Sequence, residues 1–160
     1  MLRLLETAVT LRPARADDLD YVWSVYADGL RPYLSAYRPW DEADQQARFP
    51  RIYDAPHSAI VLCEGRAAGF LTIVANARSI LLQQFFLDAA FRGQGLGGHL
   101  MGRFCAEWDE MERPVGLAVL KNNPAQHLYR RFGFRAVWQN DDRFFMQRGP
   151  GAPAAWGGVT

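Results

Sequence analysis

The stretch that most constrains this 160-residue chain is Arg92-Gly93-Gln94-Gly95-Leu96-Gly97-Gly98. It follows an apolar run from Ile80 to Leu87. It opens a segment in which Leu100, Phe104 and Trp108 recur every four residues, with Met101 and Cys105 beside them. The run has the character of a strand and the segment that of a helix with one buried stripe. Glycines at such a junction let backbone N–H groups converge without side chains in the way, forming a concave anion nest. The helix N-terminus adds unsatisfied donors and the positive end of its dipole, so a pyrophosphate fits there. Arg92 supplies a mobile cation at the rim. The bland alternative is a turn that only connects strand to helix.

The letters Gly93-x-Gly95-x-x-Gly98 also satisfy the dinucleotide-binding fingerprint. That motif follows the first strand of its domain, and an acid closes a second strand about 20 residues later. Here the loop lies past the middle of the chain, and the acids from Glu107 to Glu112 fall in or just beyond the helix. Too few residues remain for a doubly wound sheet. A Walker-type loop is excluded outright, since no Gly-Lys-Ser/Thr is present.

Elsewhere the patterning predicts a short strand over 8–12 and a helix capped by Asp17 or Asp18. That helix carries Leu19, Val22, Trp23 and Tyr26 and is ended by Gly29. A second helix is expected from about Asp41 to Arg51. A hairpin follows, with strands 59–63 and 67–75 around Glu64-Gly65, then a turn near Asn76. A strand over 114–120 precedes a helix through Ala125, Leu128, Tyr129 and Phe132 that stops at Gly133. Residues 134–138 and 143–147 form a closing hairpin around Asn140-Asp141-Asp142, read as a solvated turn. The expectation is one α/β domain over residues 1–148 with a disordered tail at 149–160.

A formal net charge of +1 recommends neither nucleic acid nor an anionic membrane as partner. No apolar run approaches the roughly 20 residues that span a bilayer. Arg3, Glu6 and Arg12 among short apolar stretches do not make a signal peptide. Cys63 and Cys105 form no metal-spacing motif and are expected as buried free thiols, so a reducing cytoplasm is the default. His57, His99 and His127 share no ligand spacing. No metal is expected, and each histidine is read as solvated or satisfied by a partner.

These residues carry a resemblance to the GNAT superfamily of N-acetyltransferases. Its signature loop, Gln/Arg-x-x-Gly-x-Gly/Ala, is matched by Arg92–Gly97 at every defined position. The segment Asn122-Asn123-Pro124-Ala125-Gln126-His127-Leu128-Tyr129-Arg130-Arg131-Phe132-Gly133-Phe134 is similar to a second signature, Asn-x-x-Ala-x-x-Leu-Tyr-x-x-x-Gly-Phe. The likeness runs from residue 8 to about 147. It implies a central mixed, mostly antiparallel sheet flanked by helices. In it the strand ending at Leu87 and the strand 114–120 splay apart, beside a bulge near the end of the first. It further implies acetyl-CoA as cosubstrate, with pantetheine pairing to backbone at Phe85, Phe86 and Leu87. The pyrophosphate would rest on the amides of Arg92, Gly93, Gln94, Gly95, Leu96, Gly97 and Gly98. Asn122 would contact the pantetheine arm, and Tyr129 would face the thioester sulfur.

Acetyl transfer to a primary amine makes three demands. The amine must lose a proton, since its pKa is about 10.4 when lysine-like. The carbonyl oxygen must be stabilised, most simply by a backbone N–H near Leu87. The CoA thiolate must leave, which the Tyr129 phenol can assist by donating a proton. Tyr129 also fits as a core residue sharing a stripe with Ala125 and Phe132. Many relatives place a glutamate base on the central strand, but Leu82-Gln83-Gln84-Phe85 carries no carboxylate. The base is then a water held by Gln84 or a carboxylate from outside the strand.

The resemblance also implies that the segment joining the first two helices lines the acceptor pocket. Tyr37 and Trp40 would face a cationic amine, with Asp41 or Glu42 paired to its charge. Alternatively Asp41 caps the second helix and Trp40 plugs its entry. The set Arg31-Pro32-Tyr33, Trp40-Asp41-Glu42 and Gln45 resembles a bacterial subgroup of the superfamily. The expected activity is direct transfer from acetyl-CoA to a primary amine in a ternary complex, a small molecule being preferred over a protein amine. The missing glutamate keeps a weak acyl-CoA-binding or sensing module as the alternative, ahead of a dinucleotide-binding domain. A homodimer is compatible with this family, many of whose members dimerise.

Overall fold

A computed structural model describes residues 8–150. Its strands are β1 (Val9–Pro13), β2 (Ser58–Cys63), β3 (Arg66–Ala75), β4 (Ile80–Leu87), β5 (Val115–Leu120), β6 (Arg135–Gln139) and β7 (Arg143–Arg148). The α-helices are α1 (Leu19–Leu34), α2 (Glu42–Ile52), α3 (Leu96–Met111) and α4 (Ala125–Arg131). Hydrogen bonding orders the strands β1-β2-β3-β4-β5-β7-β6. Pairing is antiparallel for β1–β2, β2–β3, β5–β7 and β6–β7 and parallel for β4–β5. This is the mixed, mostly antiparallel α/β sheet expected from the sequence. Two compact units divide the described residues: 8–72 with Gln84–Gln94, and Ile73–Gln83 with 95–150.

In the first unit Val22, Val25 and Tyr26 of α1 lie on one helical face and pack with Phe49, Ile60 and Phe70. The β2–β3 hairpin turns on Glu64 (φ 51°) and Gly65 (φ 78°), the two left-handed residues that a tight two-residue turn demands. Gly65 adopts this at no steric cost, while Glu64 bears the strain of a side chain there. One residue further into the ladder, Val61 pairs with Gly69 and Leu62 with Ala67, so Ala68 is the extra residue of a bulge.

Two expectations for α1 need correction. Gly29 does not end it, because the helix continues to Leu34 with Pro32 in its last turns. Asp18 precedes α1 without capping it through its side chain. Its carboxylate instead receives the Arg12 guanidinium at 2.7 and 2.8 Å and the Arg15 N–H at 2.8 Å. The hydrogen bond from Arg12 is the main cause of the lowered Asp18 pKa.

In the second unit the stripe on α3 is buried as the spacing demands: Leu96, Leu100, Met101, Phe104, Cys105 and Trp108. β5 keeps Val115, Leu117, Val119 and Leu120 buried and runs its whole length against β7. Its parallel ladder with β4 consists of two pairs, Ile80 with Val115 and Leu81 with Gly116. Gly133 at φ 86° follows α4 and turns the chain into Phe134, whose N–H donates to the Tyr129 carbonyl at 3.1 Å.

Neither cysteine is in a disulfide; Cys105 is buried, whereas Cys63 is only half-buried. Burial pushes the Cys105 thiol pKa up, which keeps it unreactive. No helix among the described residues is long and apolar enough to cross a membrane. Of the expected tail, Gly149 and Pro150 form a bend, and residues 151–160 lie outside the described residues.

Candidate functional site

The end of β4 holds Gln84, Phe85, Phe86 and Leu87, all half-buried. Strand β4 stops because the Asp88 N–H turns to the Ala68 carbonyl at 2.8 Å. The Asp88 carboxylate then accepts the Ala90 N–H at 3.1 Å, capping the 3-10 turn Ala89–Phe91. The Tyr21 hydroxyl of α1 donates to the same carboxylate at 3.3 Å. Burial is the main reason the Tyr21 phenol is pushed far above its usual range, with the Asp88 charge second. It therefore stays protonated as a donor.

Arg92 departs from the expectation of a mobile rim cation. Its Nε donates to the Leu87 carbonyl at 3.0 Å, and its guanidinium pairs with Asp28 of α1 at 2.8 Å. The cation is anchored at both ends. Gln94 Nε2 donates back to the Ala90 carbonyl at 3.1 Å, which closes the loop on itself.

Gly93 (φ 73°) and Gly95 (φ 81°) are left-handed, and a Cβ at either would meet nothing within 4 Å. These glycines answer a need of the backbone rather than of space. Gly95 is the N-cap of α3 and makes no side-chain cap hydrogen bond; the first helical bond runs from the His99 N–H to the Gly95 carbonyl at 3.0 Å. The amides of Leu96, Gly97 and Gly98 thus belong to an N-terminal turn with no intrahelical acceptor. Such a turn suits an anion by hydrogen bonding and by dipole.

In the second unit Pro124 is the N-cap of α4, and Asn123 Oδ1 accepts the Ala125 N–H at 2.9 Å. Asn122 is exposed. Tyr129 is buried on α4, 5.9 Å from the Phe134 ring in an edge-on arrangement. Burial raises its phenol pKa well above the ordinary value, so at neutral pH the hydroxyl keeps its proton. No hydrogen bond among the described residues engages its hydroxyl. Its core role and a donor role are compatible.

In the first unit Asp41 does cap α2, accepting the Asp44 N–H at 3.0 Å. Trp40 stacks on Trp23 of α1, ring centroids 6.4 Å apart, and its indole Nε1 donates to Glu42 at 2.5 Å. Tyr37 is 39% exposed. Of the two candidate acids, Glu42 is thus the one whose carboxylate lies at the Trp40 indole N–H edge rather than on a helix cap. The Asn140 side chain accepts from the Asp142 and Arg143 amides at 3.1 and 2.7 Å, so that turn is a self-contained one.

The three histidines differ. His57 pairs with Asp54 at 2.8 Å and His127 is exposed, but His99 carries a buried Nε2 without a hydrogen-bond partner. The expectation of a solvated or satisfied ring therefore fails at His99 Nε2, although the residue as a whole is only half-buried. Among the described residues no group of three His, Cys, Asp or Glu side chains could hold a metal ion. Sequence reasoning missed Tyr21, Asp28, Gly29 and Gly69, which meet the end of β4 or its loop only through the fold. The one available signal was a glycine inside an otherwise helical pattern at Gly29.

Comparison with known proteins agrees with this fold. Over 136 residues the chain is 25% identical to a Bacillus subtilis protein named putative ribosomal-protein-alanine N-acetyltransferase, covering 82% of this chain and 83% of that one. PaiA N-acetyltransferase from Thermoplasma acidophilum, solved in complex with coenzyme A, shares the fold at a TM-score of 0.71 and 13% identity. That match covers 89% of this chain and 99% of that one. Spermidine N-acetyltransferase from Vibrio cholerae, solved with CoA and spermine, shares it at 0.62 and 20% identity, over 89% and 96% of the two chains. The family model for the acetyltransferase (GNAT) domain matches residues 55–136, a span that takes in β4, the glycine loop and Tyr129. The chain belongs to the GNAT family of acetyl-CoA-dependent N-acetyltransferases.

Proposed function

We propose that residues 1–148 act as one catalytic domain that transfers acetyl from acetyl-CoA to the primary amine of a small molecule. The amine attacks the thioester directly within a ternary complex. The observation that carries the donor half is the paired left-handed glycines, Gly93 and Gly95, feeding an N-terminal turn of α3 with no side-chain cap. In this reading the amides from Arg92 to Gly98 hold the pyrophosphate. Backbone at Phe85, Phe86 and Leu87 holds the pantetheine, and Asn122 contacts its arm. An N–H near Leu87 stabilises the developing oxyanion. Tyr129, kept protonated by burial, gives its proton to the departing thiolate.

The proton route is a water oriented by Gln84 that relays the ammonium proton to bulk solvent, the Gln84 amide serving only as its hydrogen-bond partner. For the acceptor, the Trp40 indole and the Glu42 carboxylate at its N–H edge suit a cationic amine. Asp41 is spent on its helix cap. A second reading, an acyl-CoA sensor of weak activity, is favoured by one observation only: no carboxylate stands within Leu82–Phe85.

Acetyl-CoA should raise the melting temperature, since a ligand stabilises through the folded state it binds. A thiol-release assay over diamines, polyamines, amino sugars and peptides with N-terminal alanine then tests the acceptor. Release with small amines is expected. Release with the peptides alone transfers the acceptor to protein N-termini, and stabilisation without release from any of them leaves the sensor. Stabilisation by NAD or FAD but not by CoA would overturn the donor assignment.

A further inference from the structure

Helix α1 runs unbroken through Gly29, although glycine inside a helix is less favourable than alanine. Space explains its presence. A Cβ at Gly29 would lie 2.6 Å from Phe86 Cδ1 and 3.2 Å from Cε1. The Phe86 ring has no easy retreat, because it stacks on Phe70 with centroids 5.7 Å apart and meets Tyr26 edge-on at 5.4 Å.

The backbone of the same residue is confined from β3. A Cβ at Gly69 would collide with the Phe86 carbonyl oxygen and lie 2.9 Å from the Leu87 Cα. Gly69 also sits at φ 151°, a conformation that side chains disfavour. Arg92 completes the enclosure, donating to the Leu87 carbonyl while its guanidinium is fixed by Asp28, the residue before Gly29. Two missing side chains and one anchored guanidinium, from three separate segments, therefore set where Phe86 and Leu87 stand.

We propose that Gly29 and Gly69 are positioning residues for the donor. By lacking side chains they let α1 and β3 close on Phe86 and hold the Phe86–Leu87 backbone at the height the pantetheine arm needs. This rests on the reading that this backbone receives acetyl-CoA. A displacement of about 1 Å at such a site costs on the order of 100-fold in rate.

The decisive variant is Gly29→Ala, compared by steady-state kinetics and acetyl-CoA thermal shift with the unaltered protein and with Gly29→Ala/Phe70→Leu, in which the ring that backs Phe86 is shortened. Alanine favours the helix, so helicity by circular dichroism should hold. The donor KM should rise by about tenfold or more while the acceptor KM moves little, and the double variant, with room restored, should recover most of the loss. A merely structural glycine would instead lower the melting temperature and leave the donor KM unchanged, which overturns the proposal. If Gly29→Ala alone does not fold, the double variant carries the test. Near-normal donor KM there supports the proposal, and failure to fold or a donor KM still raised tenfold sinks it. Absence of acetyl-CoA stabilisation in the unaltered protein is a different failure, that of the donor reading itself.

Discussion

At the end of β4 the groups on offer belong to the backbone, and on α4 the group on offer is a single phenol. The two regions acquire their geometry by opposite means. Phe86 and Leu87 are held where neighbours have no side chain, between Gly29 and Gly69, with Arg92 tying down the Leu87 carbonyl. Tyr129 is held because its own ring is buried against Phe134. A backbone group is placed by making room around it, whereas a side-chain group is placed by filling room with it. The first should therefore be broken by adding atoms, and the second by removing one oxygen.

The largest expected effect is at Gly69. Gly69→Ala combines a disfavoured φ, about 1–3 kcal/mol, with insertion of a methyl against fixed backbone, of similar cost. Urea denaturation should show a loss of about 2–6 kcal/mol; a loss below about 1 kcal/mol would mean that β3 yields easily and that Gly69 does not confine the end of β4. Next comes Tyr129→Phe, which keeps the ring and its packing. Its turnover should fall about 100-fold, at the lower end for removing a general acid, which is roughly 2.7 kcal/mol at 1.36 kcal/mol per decade. Acetyl-CoA affinity should change less than twofold. Unchanged turnover removes the phenol from the mechanism.

Gly95→Ala isolates the conformational contribution, because an added Cβ there meets nothing within 4 Å. About 1–2 kcal/mol of left-handed strain is expected, a drop of roughly 2–8 °C in melting temperature at this chain length. A larger loss would show that space matters in the loop as well.

The smallest effect is a pH dependence. Tyr21 and Tyr129 have folded pKa values raised by burial. Above about pH 10 the unfolded phenols release protons that the folded ones keep. Stability from both groups is thus fully present below that pH and declines as pH rises further. Denaturation midpoints should be flat near neutrality with respect to these groups. The alkaline decline should be shallower in Tyr129→Phe, and an unaltered slope would show that Tyr129 contributes nothing to it.

Much of the architecture was legible along the chain. The hairpin at Glu64-Gly65, strand β4 from Ile80 to Leu87 and the buried stripe of α3 all follow from local period and turn chemistry, which act over a few residues. The cap of α2 by Asp41 was legible as one of two readings, and geometry favoured it. Gly29 misled because a glycine after an apolar helical stripe has the form of a C-terminal stop. What overrides that form is Phe86, which arrives from a distant strand. Arg92 misled similarly: its sequence neighbours are glycines, while its partner Asp28 lies on α1.

The sequence by itself determined the order of elements, the left-handed glycines of the loop and the two motifs that place the chain in its family. Each of these depends on residues near one another in the chain. Only the tertiary structure decided that Gly29 makes room instead of stopping a helix, that Gly69 lies under the Phe86 carbonyl, and that Arg92 is anchored instead of mobile. Those outcomes depend on which atoms meet across β3, β4 and α1, and close-packed interiors leave no slack for a methyl group that local pattern alone would permit.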